Sequence, residues 1–117
     1  MQKERRQHVR VRPAADYDLG VELEPQGRFK RMVVVDVGVG GLGLYLNESL
    51  VEVKVGQTLA LIVTFPREGA LPFRMQVRHI TGGERGVCGM QIMEASDEGL
   101  AAFRRYVGEM LDRGLRV

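Results

Sequence analysis

The sequence predicts a mainly β-strand domain, an antiparallel barrel or sandwich of six strands followed by one C-terminal helix. Two observations carry this prediction. Most of the chain consists of short, alternating apolar segments separated by Gly, Pro, Asn or Glu, which is typical of antiparallel strands and tight turns. No connection between them has the pattern of a crossover helix, and apolar residues recur at the helical spacing of three to four only after Ser96.

The first three predicted strands lie in the N-terminal half of the chain. Residues 16–24 alternate loosely and end at the turn signal of residues 25–27, Pro-Gln-Gly. Residues 29–37 contain a β-branched run, which favours a strand. The glycine-rich residues 38–41 predict a turn, since glycine tolerates positive φ. Leucines then recur at every second position over 42–46, alternating with glycine and tyrosine, which predicts the third strand.

The next three predicted strands have clearer alternation. Residues 58–65 place four apolar side chains on one face, and Pro66 with the loop of residues 67–70 ends that strand. Over 73–79 the apolar and polar residues alternate strictly, which predicts a half-buried strand with Phe73, Met75, Val77 and His79 on one face. The glycine pair at 82–83 leads to a last strand over 86–94.

Residues 96–113 are predicted to form an amphipathic helix. Ser96 is a suitable N-cap, and two acidic residues follow it in the first turn, where the helix dipole favours anions. Gly114 lies where a C-terminal cap is expected. The apolar stripe at a spacing of three to four residues is expected to pack on the barrel.

Composition limits the classes of protein that the chain can represent. Its 117 residues suit one domain, and no apolar run approaches the ~20 residues of a membrane helix. The first ten residues do not resemble a signal peptide, so we expect a cytoplasmic protein without membrane insertion. The single cysteine, Cys88, excludes an internal disulfide and shares the apolar face of its strand, which favours a buried small hydrophobe. We find no catalytic motif, metal site or cofactor site and expect no enzyme.

Positive charge is concentrated at the N-terminus. Residues 1–12 hold five basic side chains and one acidic one, a net charge of +4, whereas the other residues hold 12 basic and 14 acidic side chains. We therefore expect a flexible basic arm over 1–12 on a single domain over 13–117. Such an arm favours an anionic partner, although a merely solvated arm is the alternative.

Two local motifs together give the sequence its strongest functional signal. Arg6 and Arg10 form an RxxxR motif before the first strand, and Asp36, Gly38 and Gly41 form a DxGxxG motif at the turn after the second. In this order, with six strands, the segment GVCGMQIMEAS and a terminal helix, they resemble the PilZ domain family. The resemblance implies a six-stranded PilZ-type β-barrel with a C-terminal α-helix that binds the second messenger cyclic di-GMP. It also suggests Arg5 and Gly89 as further ligand-binding residues, with Arg12 a weaker candidate.

The chemistry of the ligand suits these residue types. A guanidinium fork can satisfy the O6 and N7 acceptors of guanine, and a carboxylate such as Asp36 can accept from the opposite edge. Arginines also form charge-assisted hydrogen bonds with phosphates. The family has serine at the position of Gly38, so one hydroxyl contact is missing here, and we expect weakened rather than abolished binding.

The sequence is consistent with three functions, of which the first is favoured. The first is a stand-alone cyclic di-GMP receptor that signals through contact with a downstream protein partner. The second is a PilZ-fold adaptor that binds no nucleotide, which the glycine at position 38 favours. The third is a barrel that binds single-stranded nucleic acid, which the few aromatic residues disfavour, so we expect no DNA or RNA partner.

Overall fold

A computed structural model of the protein describes residues 9–23, 30–46, 53–82 and 86–117. Within these residues we label the elements in chain order. The strands are β1 (Gly20–Leu23), β2 (Lys30–Met32), β3 (Val34–Gly38), β4 (Gly41–Tyr45), β5 (Thr58–Phe65), β6 (Gly69–Ile80) and β7 (Val87–Ala95), and the helix is α1 (Asp97–Asp112). They pair antiparallel in one sheet of order β2-β1-β5-β6-β7-β4-β3. The mainly antiparallel class with a C-terminal helix is therefore confirmed.

The described residues contain seven strands rather than the predicted six, because the predicted strand over 29–37 is in fact two. Val33 separates β2 from β3, and these two strands form opposite edges of the sheet. One residue can join both edges only if they lie side by side, so the sheet curls into a nearly closed barrel. The β-branched run therefore turns a corner of the barrel instead of continuing one strand.

Two other local predictions need correction. The strand predicted over 16–24 is shorter, because residues 14–17 form a turn in which the Tyr17 N–H donates to the Ala14 carbonyl oxygen at 3.0 Å. The turn at residues 38–41 is present, with β3 and β4 joined through two residues. Its glycines do not take positive φ, however, since among described residues only glycines 56, 69, 82 and 114 do so.

Helix α1 packs its apolar face into the core of the barrel. The Phe103 ring contacts those of Phe65 and Phe73 edge-on, with centroids 5.4 and 5.0 Å apart. Tyr106 is fully buried and donates its hydroxyl to the Tyr17 carbonyl oxygen at 2.6 Å; burial is the main cause that raises its pKa to about 12. No helix among the described residues is long and apolar enough to cross a membrane.

An ion-pair network fixes the outer face of α1 to the hairpin between β5 and β6. Arg105 donates to both Glu68 and Glu109, and Arg67 donates to Glu109 at 3.0 Å. The hydrogen bond from Arg105 holds the pKa of the Glu68 carboxyl below its usual range, against the opposing effect of burial. Arg67 and Arg105 do not line the cleft described below.

Residues 10–12 belong to the folded domain, although they fall within the segment predicted as a flexible arm. Val11 is fully buried, and it exchanges two backbone hydrogen bonds with Val37 of β3, at 2.9 and 2.8 Å. The folded domain therefore begins before the boundary that was predicted between residues 12 and 13. Residues 1–8 of the predicted arm lie outside the described residues.

Candidate functional site

A cleft of about 510 Å³ lies on the outer surface of the barrel, over strands β3, β4, β7 and β6. Val37, Leu42 and Met90 of these strands point into the core, so their sequence neighbours face outward. The residues that line it come from five segments of the chain: Val9, Arg10, Asp36, Gly38, Val39, Gly40, Gly43, Arg78, His79, Val87, Gly89, Met90 and Gln91. The cleft therefore gathers residues from both halves of the sequence.

One wall of the cleft is an ion pair between the two sequence motifs. The pairing of Val11 with Val37 places Arg10 beside Gly38 and diagonally across from Asp36. The Arg10 Nη2 atom donates to the Asp36 Oδ1 atom at 2.6 Å, and the two side chains are 33% and 22% exposed. This contact uses one of the five N–H donors of the guanidinium, so Arg10 retains donors for a ligand.

Gly38 makes room for this ion pair. A Cβ atom built at Gly38 would lie 3.1 Å from Arg10 Nη1 and 3.2 Å from Arg10 Cδ. The arginine side chain therefore lies across the position that a larger residue at 38 would fill. The glycine is needed for this packing and not for an unusual backbone conformation.

The floor of the cleft contains two glycines that lie opposite each other on β4 and β7. Gly43 pairs directly with Gly89 in the ladder. A Cβ atom at Gly43 would lie 2.9 Å from Asp36 Oδ1, and one at Gly89 would lie 2.2 Å from His79 Cε1. Each glycine thus leaves space for a polar side chain of the adjacent strand.

The opposite wall consists of Arg78 and His79 of β6 with Gln91 of β7. Arg78 Nη1 donates to Gln91 Oε1 at 2.9 Å, and both His79 and Arg78 are exposed. Strict alternation predicted that His79 shares the core face with Val77. That prediction is wrong, because the register shifts between Val77 and His79 and the histidine turns outward over Gly89.

Comparison with known proteins identifies the fold family of this cleft-bearing barrel. The model of the PilZ domain family matches residues 4–109. The chain belongs to the PilZ domain family. Among curated proteins no relative matches the chain.

Three solved structures with the same fold are each no more than 20% identical to this chain. The Bacillus subtilis inhibitor of motility, MotI/DgrA, is 20% identical with a TM-score of 0.75, over 92% of this chain and 52% of that one. The PilZ domain of Escherichia coli YcgR with c-di-GMP is 17% identical with a TM-score of 0.71, over 94% of both chains. The MrkH–c-di-GMP complex from K. pneumonia is 12% identical with a TM-score of 0.74, over 90% and 52% of the two chains. This PilZ chain therefore spans about half the length of MotI/DgrA and MrkH.

The structure brings together four of the predicted site residues of this PilZ domain. Arg10, Asp36, Gly38 and Gly89 all line the cleft. Gly41 does not line it; a Cβ atom there would lie 2.0 Å from the Met90 carbonyl oxygen, so close strand contact accounts for this glycine.

The remaining predicted arginines are Arg5, Arg6 and Arg12. Arg5 and Arg6 lie outside the described residues, and Arg12 is exposed but does not line the cleft. Cys88 is fully buried, as predicted, and burial raises its pKa. No cluster of potential metal ligands occurs among the described residues.

Sequence analysis missed Arg78, His79 and Gln91 as residues of the cleft. Arg78 and His79 are adjacent polar residues near the end of an otherwise regular strand, which in retrospect indicates a bulge. Gln91 is exposed on β7, one alternation away from Gly89. These residues could not be assigned to a cleft without knowing that Gly43 and Gly89 face each other in adjacent strands. Such pairing between strands cannot be deduced from local periodicity.

Proposed function

We propose that this chain binds cyclic di-GMP in the cleft and relays the signal through contact with a protein partner. The observation that carries the proposal is the ion pair between Arg10 and Asp36 in the wall of the cleft. It unites the two motifs in one site, and both side chains remain partly exposed to a ligand.

The chemistry of each residue fits a role in binding the dinucleotide. The guanidinium of Arg10 offers paired donors for the guanine O6 and N7 atoms or for a phosphate. Asp36 offers a carboxylate oxygen for the N–H donors of the opposite guanine edge. Gly43 and Gly89 leave the space over the sheet that Asp36 and the His79 ring occupy, so both polar side chains can face a ligand. Arg5 and Arg6 are proposed to add charge-assisted contacts with the phosphates.

The neighbours with the same fold support this ligand. The structures of the YcgR PilZ domain and of MrkH are described as complexes with c-di-GMP. The neighbours differ in the process that they control: MotI/DgrA is an inhibitor of motility, and MrkH is a transcription regulatory factor. Cyclic di-GMP is thus common to the YcgR and MrkH structures, and the partner of this chain has to be found by experiment.

Isothermal titration of the purified protein with cyclic di-GMP, with GTP as the specificity control, tests the proposal. We expect saturable binding of cyclic di-GMP and at least about a tenfold loss of affinity in Arg10→Ala, because charge-assisted contacts are lost. Arg74→Ala is the matched control, since Arg74 is 54% exposed and paired with Glu94 on the same sheet, but does not line the cleft. Equal affinity of Arg10→Ala and the wild type would show that Arg10 does not contribute to binding.

The adaptor that binds no nucleotide remains the second candidate, and one observation favours it. Gly38 lacks the hydroxyl of the family motif, and the side chain of Arg10 lies across that position in contact with Asp36. In this case the ion pair serves only to hold the segment around Arg10 on β3. Absence of binding to cyclic di-GMP in both calorimetry and equilibrium dialysis would establish this alternative.

A further inference from the structure

The segment that carries Arg10 is held between β3 and the end of the chain. We call residues Arg10–Arg12 the motif segment and residues Leu115–Val117 the tail. Val11 uses both of its backbone groups to bond β3, as described above, while its two neighbours bond the tail. The Val117 N–H donates to the Arg10 carbonyl oxygen at 2.9 Å, and the Arg12 N–H donates to the Leu115 carbonyl oxygen at 2.9 Å.

The end of α1 is built to bring the tail to this position. Gly114 takes a left-handed φ of 76°, and its N–H donates to the Leu111 carbonyl oxygen at 2.9 Å. The Leu115 N–H donates to the Met110 carbonyl oxygen at 3.0 Å, which completes a Schellman motif. Leu115 is half-buried against the core, so the turn and an apolar contact together direct the tail along the motif segment.

We propose that the tail is a positioning element for Arg10, so that its pairing with the motif segment sets the affinity of the cleft for nucleotide. This inference rests on the proposed function. The Arg10 carbonyl oxygen bonds the tail, while the side chain of the same residue bonds Asp36. A displacement of the tail would therefore move the backbone of Arg10 and, with it, the guanidinium of the same residue.

Coupling between two sites is reciprocal, which gives the proposal a second consequence. If tail pairing favours the nucleotide-bound arrangement of Arg10, bound nucleotide must stabilise tail pairing by the same factor. A protein partner that contacts the tail or the C-terminal end of α1 would then change nucleotide affinity without touching the cleft. The alternative is that the tail contributes to the stability of the fold and nothing more.

Val117→Pro tests the proposal, because proline lacks the N–H that bonds the Arg10 carbonyl oxygen. Its matched control is Val117→Ala, which likewise removes the isopropyl group of valine but keeps the N–H. Relative to Val117→Ala, we expect Val117→Pro to bind cyclic di-GMP more weakly by calorimetry, by up to about tenfold, because the net free energy of one hydrogen bond is the largest effect its loss can have. A role in stability alone would lower the melting temperature of Val117→Pro while both variants bound nucleotide equally, and this result would overturn the proposal.

A measurement without nucleotide separates this proposal from the proposed function. In NMR spectra of the ligand-free protein, Val117→Pro but not Val117→Ala should shift the Gly38 amide and the Arg10 side-chain resonances, because Arg10 packs over Gly38. Absence of nucleotide binding in the wild type, together with these shifts, would reject the receptor and retain the positioning of Arg10 by the tail. Unchanged resonances in Val117→Pro would reject the positioning role whether or not the wild type binds nucleotide.

Discussion

Replacing Gly38 tests how the departure from the family motif affects ligand binding. Gly38 does not have a left-handed φ, so its backbone accepts an L-amino acid without strain. A Cβ atom there would lie 3.1 Å from Arg10 Nη1, 3.2 Å from Arg10 Cδ and 3.2 Å from the Val9 carbonyl oxygen. These contacts are too close by a few tenths of an ångström. The partly exposed guanidinium can move away, whereas the Val9 carbonyl requires a small shift of backbone.

The steric effect and the hydroxyl effect can be separated by two substitutions. Gly38→Ala adds only the Cβ atom and should weaken cyclic di-GMP binding by displacing Arg10. Gly38→Ser adds the same Cβ atom and a hydroxyl, whose net hydrogen bond is worth about 0.5–1.5 kcal/mol. We therefore expect Gly38→Ser to bind about two- to tenfold more tightly than Gly38→Ala.

Calorimetric titration of both variants measures this ratio directly. Gly108→Ala in α1 is the control, because a Cβ atom at Gly108 would meet no atom within 4 Å and Gly108 does not line the cleft. Equal affinities for Gly38→Ser and Gly38→Ala would refute the reasoning, since a hydroxyl at this position would then make no contact with the ligand. Tighter binding of Gly38→Ala than of the wild type would refute the role given to Gly38 in seating Arg10.

Three further predictions follow from single contacts. Gly89→Ala should weaken nucleotide binding, because the added Cβ atom would push the His79 ring into the cleft. A double-mutant cycle with His79→Ala should then give a coupling energy of about 0.5–3 kcal/mol. Additive effects of the two substitutions would contradict the contact between these residues. Tyr106→Phe should lower the free energy of unfolding in urea by about 1–3 kcal/mol, because the Tyr17 carbonyl oxygen loses its donor. Since burial raises the pKa of Tyr106 from 10.0 to about 12, its contribution is complete below pH 10 and is lost as the pH rises towards 12, a loss that Tyr106→Phe should not show. Cys88 should not react with a thiol reagent until the protein is unfolded in denaturant, whereas reaction in the native state would contradict its burial.

Local periodicity predicted the elements whose side chains alternate without interruption. Strand β5 has the predicted bounds, and α1 ends within a residue of its predicted bounds at each end, with the Ser96 hydroxyl accepting from the Gly99 N–H at 3.0 Å. Both depend on contacts within a few residues of the chain. The corner at Val33 could not be predicted in this way, because what divides β2 from β3 is their placement at opposite edges of the sheet.

The candidate site was predictable only in part for the same reason. The motifs identified Arg10 and Asp36, but not that the guanidinium lies across Gly38 to reach the carboxylate. Nor did they indicate that a bulge in β6 moves His79 from the core face to the cleft. Pairing of the motif segment with the tail joins residues about a hundred positions apart, and nothing in the composition of either segment encodes it.

On the proposed function, the Arg10–Asp36 pair contributes more to ligand binding than to stability. A pair in which both side chains are partly exposed contributes little to folding, typically about 0–1 kcal/mol. Its effect on binding is different, because each partner is held in the cleft before a ligand arrives and less side-chain entropy is lost on binding. The remaining donors of Arg10 and the second oxygen of Asp36 can then contact a ligand that presents both acceptors and donors, as guanine does. A ligand of one charge sign alone would use only half of this pair, which is why the geometry favours a guanine nucleotide over a simple anion.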